Sequence, residues 1–176
     1  MAVLNVNPTR MELTRLKKQL STALRGHKLL KDKRDELMRQ FLDMIRETKT
    51  LREEVEERLK SVNNDFVLAS SVMSKEVLDT ALLAPKQEVY LEASTRNVMS
   101  VDIPVYSFKT RTSEQSDIFS YGFASTSFEL DDAVSGLSDL LPKMLKLAEM
   151  EKSVKLMADE IEKTRRRVNA LEHVMI

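Results

Sequence analysis

The chain has 176 residues, 28 of them basic and 28 acidic, with 42% hydrophobic and only 5% aromatic side chains. It has no cysteine, so neither a disulfide framework nor a thiolate metal site can be built. No run of about 18 apolar residues is present to span a membrane, and the first residues lack the basic-then-apolar pattern of a secretory signal.

With three glycines, four prolines and 32% charged residues, the composition suits long helices better than a sheet protein. After a short apolar lead, Pro8 and Thr9 open a stretch that reaches about Thr80 without another proline and with Gly26 as its one glycine. Thr9 and Glu12 have capping-box spacing, and Leu4 or Val6 is placed to pack on the first turn. Apolar residues fall at Leu13, Leu16, Leu20, Leu24, Leu30, Leu37, Phe41, Met44, Leu51, Val55, Leu59, Val62, Phe66, Ala69 and Met73. From Leu37 to Val55 the steps alternate four and three, with Thr48 in the one polar gap. That is the seam of a left-handed coiled coil. At a rise of ~1.5 Å per residue such a rod is on the order of 100 Å long and needs a partner along its length. It must end before Pro85, because the residue preceding a proline is pushed out of helical geometry.

From Gln87 to about Lys109, β-branched and aromatic runs replace the helical period. They predict a β-hairpin with its turn at Ser94–Asn97 and an edge strand marked by Pro104. Thr110 to Ser127 reads as a loop pinned by Phe119, Tyr121, Phe123 and Phe128. A second rod begins near Thr126 or Ser127, with Thr126 and Glu129 at capping-box spacing. Its expected seam is Leu130, Val134, Leu137, Leu141, Met144, Ala148, Val154, Met157, Ile161, Thr164, Val168, Leu171 and Met175. Pro142 lies inside it and is expected to kink it. The fold class that follows is mainly α: a long antiparallel two-helix coiled coil with a short β-hairpin region between the helices. Its parts are 1–84, 85–127 and 128–176. With Phe66 opposite about Asp131, Ile176 reaches only the level of Thr22. The first turns then lack a partner, which suggests a truncated end or a cover over Met11 to Leu20.

Enzyme chemistry finds little footing. His27 and His173 are the only histidines, the glycines are isolated, and the acidic pairs at Glu53–Glu54 and Glu56–Glu57 are most simply a solvated helix face. The ten methionines mostly recur near seam positions and suit core filling better than a repacking surface. Charge is uneven: Arg10 to Arg34 holds nine Lys or Arg against two acids, and Arg165–Arg167 should lie across from about residue 31. Such a band can follow phosphates, but without interleaved aromatics or a nucleic-acid motif a solvated or protein-facing band is the simpler reading.

Three stretches carry a family resemblance. They are Asn7 to Leu13 continuing through Leu16-Lys17, Leu20, Ala23, Gly26 and Leu29 to Asp35; Thr95 to Met99 with Ile103-Pro104; and Lys163 to Glu172. Together they resemble the D subunit of the V-type and A-type rotary ATPases over nearly the whole chain. The resemblance implies a non-catalytic central shaft that binds no cofactor or metal. It would turn in the bore of a hexamer of A and B subunits, with the F subunit at its side and the C subunit (d in eukaryotes) joining it to the membrane ring. It further implies a cytoplasmic, membrane-peripheral place coupling ATP hydrolysis or synthesis to H+ or Na+ transport, and several more helical turns past Ile176. On this view Arg10, Lys17, Lys18, Arg25, Lys28, Arg165, Arg166 and Arg167 face the A and B subunits, and Val98, Met99, Ile103 and Val105 meet the F subunit or the membrane-side coupler. The alternative is a prefoldin-like coiled-coil chaperone or adaptor, which would self-assemble through its hairpin.

Overall fold

The structure, a computed structural model, describes residues 7–112, 114–124 and 126–175. The expected packing of Leu4 or Val6 and the chain's last residue lie outside them. The element order is α1 (Arg10–Val72), α2 (Lys75–Leu82), β1 (Val89–Val98), β2 (Val101–Thr110), a 3-10 turn at Gln115–Ile118, α3 (Phe128–Ala170) and a π-helical turn at Leu171–Met175. Thr9 starts α1 as its spacing predicts: the Glu12 N–H donates to the threonine hydroxyl at 3.3 Å. The carboxylate of Glu12 turns instead to Arg15, at 3.6 Å.

The chain divides into two compact units, one of residues 1–43 and 155–176, the other of 44–154. In the first, Ala23 and Leu37 of α1 are buried, as are Met157, Ile161, Thr164 and Val168 of α3. These are expected seam positions except Ala23, which lies between expected positions. Lys33 meets Glu160 at 3.5 Å, while Leu171 shares a hollow with Lys18, Ala23 and Gly26. Rising numbers on one helix meet falling numbers on the other, so the pair is antiparallel. In the second unit the same sense is set by the ion pairs Glu54–Lys143 and Arg52–Glu151 and by the approach of Gly136 to Val62. Thr48 is half-buried and Val55 buried, as the seam requires.

The first half of α3 departs from the expected stripe. Leu137 is 48% exposed and Met144 is also exposed, whereas Leu140 is 1% exposed and Ala133 is buried. Leu140 rather than Leu141 therefore faces inward. Gly136 allows this, because a backbone without Cβ can approach α1 more closely than a larger side chain permits. Pro142 is accommodated inside α3, which continues unbroken on both sides of it. Thr126 does not cap α3; its hydroxyl donates to the Gly122 carbonyl at 3.4 Å.

The first helix ends earlier than the position of Pro85 predicts. Ser70 and Ser71 donate their hydroxyls to the carbonyls of Val67 and Leu68, offering the backbone a competing geometry. Ser74 then adopts extended backbone and caps a new helix, accepting the Val77 N–H at 3.4 Å. The corner is closed by a small core of Ala69, Ala81 and Leu130, with Met73, Leu78, Tyr121 and Val134 against it. Phe119, Tyr121 and Phe123 stack edge to face above, with centroids 5.5–6.4 Å apart. Phe128 takes no part and is 73% exposed.

The hairpin forms with its turn elsewhere than composition suggests. Val98 pairs with Val101, so the two-residue turn is Met99-Ser100. Both residues take positive φ, 51° and 72°, the pattern of a turn that normally selects Asn-Gly. Asn97 compensates: its side-chain oxygen accepts the Ser100 N–H at 3.1 Å while its amide donates to Asp102 at 2.6 Å. Ser94 to Asn97, expected as a turn from composition, are ordinary strand residues. Pro104 pairs with Thr95 within β2.

Candidate partner-binding surfaces

Two groups of residues carry the expected interaction surfaces. The first lies in the unit of residues 1–43 and 155–176. Arg10, Lys17, Lys18, Arg25, Lys28, Arg165, Arg166 and Arg167 are all exposed. The antiparallel pairing brings the two clusters together. Since Glu160 is level with Lys33 and Leu171 lies near Ala23 and Gly26, Arg166 sits about level with His27. That is one helical turn from the expected position.

Three of these cations are engaged locally. Arg25 donates to the Ser21 carbonyl at 3.3 Å, Arg166 bonds Glu162, and Arg167 approaches Glu160 at 3.8 Å. Among the described residues Arg10, Lys17, Lys18, Lys28 and Arg165 form no ion pair. An unpaired exposed cation keeps its field available to a partner, and that field is screened within about 10 Å at ordinary salt. Interleaved with them, Met11 is 85% exposed, and Leu13, Leu20, Leu24 and Leu29 are exposed too. The surface is therefore both cationic and apolar, a combination that the seam pattern hides by assigning Leu13, Leu20 and Leu24 to the helix interface. Farther along α1, Glu36 is held by hydrogen bonds from Arg39 and Gln40, which push its carboxyl down to about 2.

The second group is the hairpin. Val98, Met99 and Val105 are half-buried, and Ile103 is 6% exposed, so Ile103 packs inward in the free chain. The apolar side chains that the hairpin exposes are Val89, Tyr90, Leu91 and Phe108. Leu91 and Phe108 are cross-strand partners and therefore share a face. Farther exposed apolar residues, Val67, Leu68, Val72 and Leu83, carry no sequence expectation, while Phe123, expected to pin its loop, meets Phe119 and Tyr121 and is still 64% exposed. The signal that could have found them is Val67-Leu68, a pair of large apolar residues standing off the seam.

The family of the ATP synthase D subunit matches residues 12–176. The chain is 64% identical to the V-type ATP synthase D subunit of Acetivibrio thermocellus, covering all of this chain and 79% of that relative. It is 62% identical to the D subunit of Clostridioides difficile, again over all of this chain and 79% of the relative, and 56% identical to that of Clostridium novyi, covering 82% of it. Among the described residues no helix is long and apolar enough to cross a membrane. The chain belongs to the V-type ATP synthase D subunit family and is a stalk-type component of a rotary ATPase rather than a catalytic one.

Proposed function

We propose that this chain is the torque-transmitting shaft of its complex. The reading has it turn within a hexamer of A and B subunits, bind the F subunit at its side and join the C (or d) subunit at the membrane ring. It would thereby couple ATP hydrolysis or synthesis to H+ or Na+ movement from a cytoplasmic, membrane-peripheral position. The observation that supports this best is the 63-residue α1, unbroken from Arg10 to Val72, with antiparallel α3 against it in both compact units. A helix twists little under load because every peptide group is tied to the next turn by a hydrogen bond, and a supercoiled pair shares the load across its seam.

The exposed cations suit the bearing end. A rotating part needs contacts that are exchanged rather than kept, and exposed charge pairs are worth roughly 0–1 kcal/mol each. On this reading Arg10, Lys17, Lys18, Arg25, Lys28 and Arg165 to Arg167 face acidic surfaces of the A and B subunits. Val98, Met99 and Val105, half-buried towards the tip of the hairpin, meet the F subunit or the membrane-side coupler, and the exposed Leu91 and Phe108 offer apolar surface on the hairpin's opposite face; Ile103, expected with the first group, is covered within the chain.

Native mass spectrometry of the chain mixed with A3B3 and the F subunit tests the reading. One copy of this chain and one F per hexamer is the expected stoichiometry. Several copies per hexamer, or self-assembly without it, would favour a chaperone-like coiled coil. Reversing Lys17, Lys18 and Arg165 to glutamate should weaken assembly and reduce its sensitivity to salt; unchanged assembly and hydrolysis would remove these residues from the bearing.

A further inference from the structure

Two strands alone cannot bury a residue, yet Val101 and Ile103 of β2 are almost fully covered. Among the described residues, the hydrogen bond that leaves β2 for another helix or strand beyond β1 runs to α3. Tyr106 sits in the middle of β2, and its N–H points away from β1: it donates to Glu149 Oε2 at 2.8 Å. The other oxygen of the same carboxylate accepts the Lys146 ammonium, one turn back on α3. Arg96 of β1 adds a second cation to the surroundings of Glu149. The Glu149 side chain is 13% exposed, so this is a largely buried carboxylate with both oxygens engaged. Among the described residues, the hairpin's other polar bonds stay within it or its flanking residue Glu88. Ser94 bonds the Val105 carbonyl, Ser107 the Glu92 carbonyl, Lys109 the Glu92 carboxylate and Asn97 the side chain of Asp102. Those bonds hold the shape of the hairpin but say nothing of where it sits.

We propose that Glu149 is the positioning residue that seats the hairpin on α3, fixing its register along the helix and the direction in which the Met99–Ser100 tip is presented to a partner. Apolar contact through Val101 and Ile103 is non-directional and tolerates sliding. A backbone N–H held by a fixed carboxylate does not, because a hydrogen bond weakens steeply with distance and angle. The same contact blocks the outer edge of β2, which would otherwise be a template for pairing with another chain. The seat is permanent rather than pH-gated near neutrality. Burial raises the Glu149 pKa, but the bonds from Lys146 and the Tyr106 N–H outweigh it and leave the carboxyl below its ordinary value. No acid group from β1 or β2 is among the influences on it, only Arg96 and the Tyr106 amide. The hairpin is held in this way whichever partner it meets.

The absence of cysteine makes the test direct. Spin labels on Ser100→Cys and Lys152→Cys, both exposed positions, report the tip-to-α3 distance in the full chain. The distribution should be narrow with Glu149 present and broad in Glu149→Ala. It should be narrow again in Glu149→Gln, whose amide oxygen can accept the same N–H. Hydrogen exchange gives the second reading. The Tyr106 amide should exchange about tenfold faster in Glu149→Ala, while the Ser94 and Arg96 amides, which face β2, keep their protection. An unchanged distribution in Glu149→Ala, or a loss of protection spread equally over Ser94, Arg96 and Tyr106, overturns the proposal. Should Glu149→Ala fail to fold, Glu149→Gln decides: a narrow distribution with Tyr106 still protected supports the seat, and a broad one overturns it.

Discussion

Replacing Gly136 by alanine tests how closely α1 and α3 approach. A Cβ on Gly136 would stand 2.8 Å from Val62 Cγ2, well inside the ~3.5–4 Å at which carbon atoms rest against each other. Valine in a helix has essentially one χ1 rotamer, so Val62 cannot turn aside. The helices must instead separate locally, and Ala133 and Leu140, buried one turn to either side, would lose contact. Overpacking of this kind costs roughly 1–3 kcal/mol. Against it stands the better helix propensity of alanine over glycine, about 1 kcal/mol. The net expectation is a loss of about 0–2 kcal/mol, or a few degrees in Tm for a chain of this length. The sharper observable is the coupling. In a Val62→Ala background the clash is gone, and Gly136→Ala should stabilise by about 1 kcal/mol. Urea unfolding followed by far-ultraviolet circular dichroism on the four chains of the cycle measures both numbers. Gly136→Ala stabilising equally in both backgrounds would refute the close approach.

Other outcomes follow from single sites. Met99-Ser100→Asn-Gly removes two non-glycine residues from positive φ and should stabilise the hairpin by about 1–2 kcal/mol, read by urea titration and by slower exchange at Val98 and Val101. Thr164 is 0% exposed, and its hydroxyl has no partner among the described residues. Thr164→Val, of the same shape, should raise stability by about 1 kcal/mol, whereas a loss would mean that the hydroxyl is satisfied. Leu37→Ala, at a fully buried seam position, should cost about 2–5 kcal/mol, and Leu13→Ala on the exposed stretch under 1 kcal/mol. Acid should destabilise the chain. Glu36, Glu54 and Glu149 have lowered pKa values in the fold. The stability they contribute is therefore complete above their ordinary value near 4.5 and is lost as pH falls towards about 2, where Glu36 titrates. Tyr121 acts in the opposite sense. Burial, aided by the facing Asp131, raises its pKa above the ordinary 10, so its contribution is lost in alkali above pH 10. Midpoints of urea unfolding across pH check both limits.

Much of the helical pairing was legible because a 3.5-residue seam leaves a periodic trace, and Leu37, Val55, Met157, Ile161, Thr164 and Val168 all lie where that trace puts them. The first half of α3 was misread because Gly136 carries no hydrophobic signal, yet it decides which face can come closest to α1. The break at Met73 and Ser74 was overshadowed by Pro85: a proline is a loud stop, whereas two serines bonding back to carbonyls and a third serving as cap are quiet ones. The turn at Met99-Ser100 has none of the residues that such geometry prefers, and its stabiliser, Asn97, looked like part of the turn itself. The cationic clusters were visible as composition, and their meeting followed from the antiparallel pairing. Glu149 was not visible, because one glutamate among 28 acidic residues has no pattern; only the fold brings Tyr106 to it.

The shaft reading makes one direct demand, which is that this chain turns while the hexamer around it does not. A single cysteine at Lys86, an exposed position in a chain with no other thiol, allows a bead to be attached with the A and B subunits fixed to glass. Continuous one-way rotation of the bead on addition of ATP, stopping when ATP is removed, is the expected result. A bead that stays still while the fixed hexamer hydrolyses ATP would contradict the shaft.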